Sequence, residues 1–109
     1  MNVVRVLTKK IPISSIANCT FIQFSNDLTQ AASKHKGFIN STSYWEDVYN
    51  YDIDSSLYTI SDWESKKDWD EWIKSEIREK ILNNHKMEFE FCSHTILYRR
   101  KKYNDIPLL

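Results

Sequence analysis

The stretch SDWESKKDWDEWIKSE, Ser61 to Glu76, holds Trp63, Trp69 and Trp72, three of the four tryptophans in a chain of 109 residues. Its first residues complete LYTISDW (Leu57 to Trp63), which reads as a strand. Ser65 then has the chemistry of a helix N-cap, and Asp68 puts a negative charge in the first turn, where the helix dipole favours it. Trp69, Trp72, Ile73, Ile77 and Ile81 recur at helical intervals and form one apolar stripe, and Ser75 is placed to start a second helical segment at a bend.

Upstream, FINSTSYW (Phe38 to Trp45) reads as a second strand, joined to the first by the polar, acidic loop EDVYNYDIDSS. Further back, NVVRVLTKKI (Asn2 to Ile11) is rich in β-branched residues and reads as a strand. Pro12 is expected to end it and to occupy the first turn of a helix beginning at Ile13. Ala17, Phe21, Phe24, Leu28 and Ala32 give that helix one stripe, and KHKG closes it with Gly37 suited to the left-handed C′ position. Downstream, MEFEFCSHTILYRRKK (Met87 to Lys102) alternates and is the longest strand. The order strand, helix, strand, strand, helix, strand is the split βαβ of a ferredoxin-like α+β fold, with an antiparallel sheet carrying both helices on one face. The whole chain, 1–109, reads as one domain. Its other sheet face has no helix to cover it, and a second subunit is the simplest cover.

Composition excludes several classes. Fifteen basic and fifteen acidic residues give a formal net charge of zero, which argues against nucleic-acid binding. One glycine, Gly37, excludes dinucleotide fingerprints and phosphate-cradling loops. No apolar run approaches a membrane span and the N-terminus lacks a signal-peptide pattern, so a cytoplasmic protein is expected. Cys19 and Cys92 are expected to act as small buried hydrophobes. Asp47, Asp52 and Asp54 lack the spacing of a calcium loop, and no metal is expected.

The segments HKGFINSTSYWED and YTISDWESKKDWDEWIKSE resemble the antibiotic biosynthesis monooxygenase domain family. The resemblance runs from about Lys36 to Ile81 and rests on Gly37-Phe38, Trp63, Glu64-Ser65, Trp72 and Ser75-Glu76; Lys36 stands where the family commonly has proline. It implies a dimeric α+β barrel, with a pocket between each subunit's sheet and helices or at the barrel mouth. Members include cofactor-independent oxygenases of polycyclic phenols and haem-degrading monooxygenases. The haem-degrading members use a helix histidine, which aligns here with Leu82, and a strand-one asparagine, which falls near Val3; Trp72 matches and His85 lies three residues beyond Leu82.

The resemblance leaves two classes open. One is a monooxygenase working without metal, flavin or other cofactor on a small hydrophobic, aromatic compound. The other is a non-catalytic ligand-binding or regulatory domain on the same fold, with haem degradation as a third reading. For the oxygenase, Trp72, Trp63, Tyr44 and Tyr58 are the candidate substrate-binding residues, and His94 and Asn40 the candidate catalytic ones. His94 shares its strand face with Glu88, Glu90, Cys92, Ile96 and Tyr98, and a histidine there titrates near neutral pH. His35 reads as a solvated residue at a helix end.

Overall fold

The computed structural model describes residues 3–46 and 56–99. The acidic-loop positions Asp47, Asp52 and Asp54 and the last residues of the expected final strand, 100–102, lie outside the described residues. The element order is β1 (Val4–Pro12), α1 (Asn18–Ser33), β2 (Phe38–Trp45), β3 (Leu57–Trp63), α2 (Lys66–Ile73), α3 (Glu76–Asn84) and β4 (Phe89–Tyr98). The strands form one antiparallel sheet in the order β2-β3-β1-β4. This is the ferredoxin-like arrangement, and β2 and β3 have the bounds that the sequence predicts. Among the described residues no helix is long and apolar enough to cross a membrane.

The alternation of β1 sorts its residues between the two faces. Val4, Val6, Thr8, Lys10 and Pro12 are buried under the helices, while Arg5, Leu7, Lys9 and Ile11 take the other face. Pairing carries that phase across the sheet: Val4 lies opposite Trp63, Val6 opposite Ser61, Thr8 opposite Thr59, and Lys10 opposite Leu57. Phe21, Phe24, Leu28 and Ala32 of α1 and Trp69 and Trp72 of α2 close the core above them. On the face without helices, Tyr44, Phe91 and Leu97 stay exposed and Lys9 Nζ sits 5.4 Å over the Tyr58 ring and 5.6 Å over Phe91.

Four sequence expectations are corrected. Helix α1 begins at Asn18, five residues later than expected; Pro12 is the last residue of β1, and a turn holds Ile16 N–H to Ile13 O at 3.0 Å. Gly37 does have φ +85°, but it lies beyond the Lys34 cap, in the turn into β2. The stripe of the second helical region breaks at Ser75, whose hydroxyl caps α3, so Ile77 is exposed rather than on the sheet-facing side. Cys19 and Cys92 are both exposed and unbridged.

Gly37 is fixed by two constraints. Its positive φ disfavours any side chain, and a Cβ there would collide with the Asp68 side chain. Its carbonyl meanwhile accepts the Glu64 N–H at 2.7 Å, tying the β2 entrance to the β3 exit. Asp68 cannot easily retreat, because its carboxylate accepts the Ser65 hydroxyl at 2.9 Å and its N–H donates to Ser65 Oγ at 3.1 Å in the α2 cap. Gly37→Ala is therefore expected to lower stability by about 2 kcal/mol or more, from left-handed strain plus displacement of the cap. Urea denaturation checks this; a change within about 0.5 kcal/mol would show that the turn relaxes freely.

Candidate functional site

A cavity of about 60 Å³ lies between the sheet and the helices. Its wall is aromatic, because Phe38, Trp63, Trp69 and Trp72 meet there. Trp63 is 1% exposed and is the hub: its ring is 5.4 Å from Phe38 and 5.6 Å from Trp69, both edge-to-face, and 6.4 Å from Trp72, stacked. Such arrangements add to the area that each ring buries. His35 is not solvated as expected; its ring packs against Trp63 and Trp72 at 6.0 and 5.8 Å.

The floor is polar, a consequence of the strand phase that puts Ser41, Ser43, Thr59, Ser61 and Thr8 on the helix side. Most of these hydroxyls are satisfied. Ser43 and Thr59 bond each other at 2.8 Å, the Trp63 Nε1–H donates to Ser61 Oγ at 3.0 Å, and Thr8 Oγ1 lies 2.9 Å from His94 Nδ1. Ser25 Oγ, from α1, is buried and has no hydrogen-bond partner among the described residues.

His94 lines the cavity beside Trp69, their rings 5.2 Å apart. One side of the residue remains open, but packing against Trp69 and the sheet strips water from the ring. That desolvation, then the charges of Lys10 and Arg78, lowers its pKa to about 4, so the imidazole is neutral at pH 7. Lys10, 7% exposed on β1, also lines the cavity, and burial lowers its pKa to about 8. Arg78 of α3 reaches the same space, half-buried, with its Nη1–H donating to Ile73 O at 3.4 Å.

Of the residues expected from sequence, the fold brings Trp63, Trp72 and His94 to this cavity together with Trp69. Asn40, Tyr44 and Tyr58 lie on the opposite sheet face, since Asn40 pairs with Asp62 and Tyr44 with Tyr58. The reason for Asn40 is a bulge between Phe38 and Asn40, which flips the face of every later residue relative to Phe38. A second irregularity sets Pro12 opposite Phe89, skipping Glu90. Phe89 thereby packs on Phe24 at 5.9 Å, and Glu90 and Glu88 do not join the His94 face at the cavity. His85 caps α3 and bonds Asp27 Oδ2 through Nε2 at 2.8 Å, away from the cavity lining. Among the described residues no three potential ligands cluster for a metal.

Lys10, Arg78 and Thr8 were not singled out from the sequence. Lys10 carried a signal, since it shares the parity of Val4 and Val6 in β1. Arg78 carried none, because the bend at Ser75 sets the direction of α3.

No family model matches the chain, and no curated protein matches it in sequence. Solved structures do match in fold. SnoaB, a cofactor-independent oxygenase from Streptomyces nogalater, is similar with TM-score 0.66 and 13% identity, over 95% of this chain and 98% of that one. A dimeric ferredoxin-like protein of unknown function from Thermobifida fusca gives TM-score 0.68 at 7% identity, over 90% and 92%. A Bacillus cereus protein proposed to be an antibiotic biosynthesis monooxygenase gives 0.57 at 19% identity, over 92% and 94%. At these identities the likeness speaks for architecture alone, and that architecture is the ferredoxin-like α+β fold.

Proposed function

We propose that the protein is a cofactor-independent monooxygenase that oxidises a small, single-ring phenolic compound in the cavity between its sheet and helices. The observation that carries this is the cavity itself, an aromatic wall of Phe38, Trp63, Trp69 and Trp72 over a polar floor with a neutral imidazole. On that volume scale a water needs ~10–15 Å³, so about 60 Å³ suits one ring rather than several.

The chemistry asks little of the protein. A phenolate can reduce dioxygen directly; a four-electron oxidation of a ring C–H and the phenol O–H to a quinone inserts one oxygen atom and releases the other as water. The cavity would hold the ring against the tryptophans and stabilise the phenolate oxygen. His94 would orient the phenol by accepting its O–H hydrogen bond at Nε2, in the tautomer whose Nδ1–H donates to Thr8 Oγ1. Lys10 and Arg78 supply positive charge that favours the anion.

Oxygen-electrode assays of chelator-treated protein against monocyclic phenols test the reading. Substrate-dependent oxygen uptake that is lost in His94→Ala is expected. Saturable quenching of tryptophan fluorescence without oxygen uptake by any phenol would instead make the protein a binding domain.

We also infer a homodimer. Tyr44, Phe91 and Leu97 lie exposed on the face without helices, beside Leu7, Ile11, Tyr58 and Ile60. A solved relative in fold is dimeric. Light scattering is expected to give twice 13.0 kDa, and Phe91→Asp to give the monomer. A stable wild-type monomer at micromolar concentration would contradict the inference.

A further inference from the structure

Resting on that oxygenase reading, we propose that the aromatic substrate also carries a carboxylate, bound by Lys10, Arg78 and the Ser25 hydroxyl. All three line the same cavity. Among the described residues none lining it is acidic, and no carboxylate lies within ion-pair distance of Lys10 or Arg78. Acidic groups do occur nearby, but Glu79 and Glu88 line a separate outer hollow that Arg78 and Ile73 share with the inner cavity.

Two facts point to a missing partner. Lys10 is 7% exposed and its Nζ sits 5.5 Å over the Phe24 ring; a poorly solvated cation with an aromatic face but no counter-ion is unfavourable, a pattern found where a ligand completes the site. Among the described residues Ser25 Oγ is buried with no hydrogen-bond partner, whereas its neighbour hydroxyl on Thr29 donates to Ser25 O at 2.9 Å. An ammonium, a guanidinium and a hydroxyl together offer donors to an acceptor-rich group. A carboxylate has two oxygens and about four lone-pair sites, and its planar shape suits the guanidinium fork. The mutual repulsion of Lys10 and Arg78 is relieved when one anion bridges them. A phenolate oxygen alone would leave donors unmet. A single-ring hydroxyaryl carboxylate satisfies the aromatic wall, the small volume and the charge.

Calorimetric titration of the wild-type protein with 4-hydroxybenzoate, its uncharged isostere 4-hydroxybenzamide, and inorganic phosphate tests this. The carboxylate is expected to bind at least about tenfold more tightly than the amide and than phosphate, which equals about 1.4 kcal/mol. Arg78→Gln and Lys10→Met, each checked for native circular dichroism, are expected to erase that preference while ring binding persists. Equal binding of acid and amide, or phosphate binding as tightly as the acid, overturns the subsite. The two readings fail separately. A carboxylate preference without oxygen uptake keeps the subsite and removes the catalytic reading. Oxygen uptake with neutral phenols and no carboxylate preference does the reverse.

Discussion

Lys10→Met is expected to raise the stability of the protein at pH 7 while emptying the cavity of its anion affinity. Lys10 is 7% exposed, and its amine is pushed from 10.5 to about 8, first by burial and then by Arg78, with Cys92 opposing. At about 1.4 kcal/mol per pH unit, holding the charged amine there costs roughly 3 kcal/mol. Methionine has similar length and no charge, so it removes that penalty. It also removes the cation–π contact with Phe24, whose centroid is 5.5 Å from Nζ, worth about 0.5–2 kcal/mol. A net gain of about 1–2 kcal/mol is expected from these opposing terms.

The pH dependence gives a second readout. The folded-state pKa lies below that of the unfolded chain, so between about pH 8 and 10.5 the unfolded state binds more protons. The Lys10 contribution to wild-type stability therefore rises with pH across that window, and is flat below it. The methionine variant lacks that rise. Urea melts at pH 7, 9 and 10 measure both effects. A variant less stable than wild type by over about 1 kcal/mol, with an unchanged pH profile, would show that the amine is well solvated or paired. A residue that lowers stability where it stands, yet fills a cavity wall, is the pattern expected of function rather than packing.

Trp72→Ala has the opposite sign and the larger magnitude. Trp72 is 3% exposed, stacked on Trp63 at 6.4 Å and edge-on to His35 at 5.8 Å. Truncating such a residue costs about 3–5 kcal/mol, from lost transfer energy plus an unfilled void. Small domains have about 5–15 kcal/mol in total, so the variant is expected to be marginal at 37 °C. Because Trp72 also walls the cavity, its loss should enlarge the site and weaken ring binding. Denaturant melts with parallel fluorescence titrations separate the two. A stability change under about 1 kcal/mol would show that the α2 packing is not the core of this fold.

The fold was legible in the sequence because its local signals agree. Ser65 and Ser75 both cap helices as their chemistry predicts, and the stripe of α1 is buried at Phe21, Phe24, Leu28 and Ala32. The site was legible only in part, and the reason is parity. Trp63 faces inward, so Ser61 and Thr59 do too, and Tyr58 must face outward. That step needed no structure. Asn40 did, since a one-residue bulge beside Phe38 reverses the face and leaves no mark in composition. The Glu90 irregularity in β4 is hidden in the same way. Arg78 reaches the cavity from a helix whose direction is set by the bend at Ser75, a tertiary fact that periodicity within one segment cannot supply.

On the reading proposed above, an aromatic ligand binds in the cavity between sheet and helices. A crystal structure of the protein soaked with 4-hydroxybenzoate tests it most directly. One ring per subunit is expected against Trp63, Trp69 and Trp72, its polar groups directed to His94 and to Lys10 and Arg78. A cavity closed by its own side chains, with the ligand absent or on the sheet face of Tyr44 and Tyr58, would contradict it.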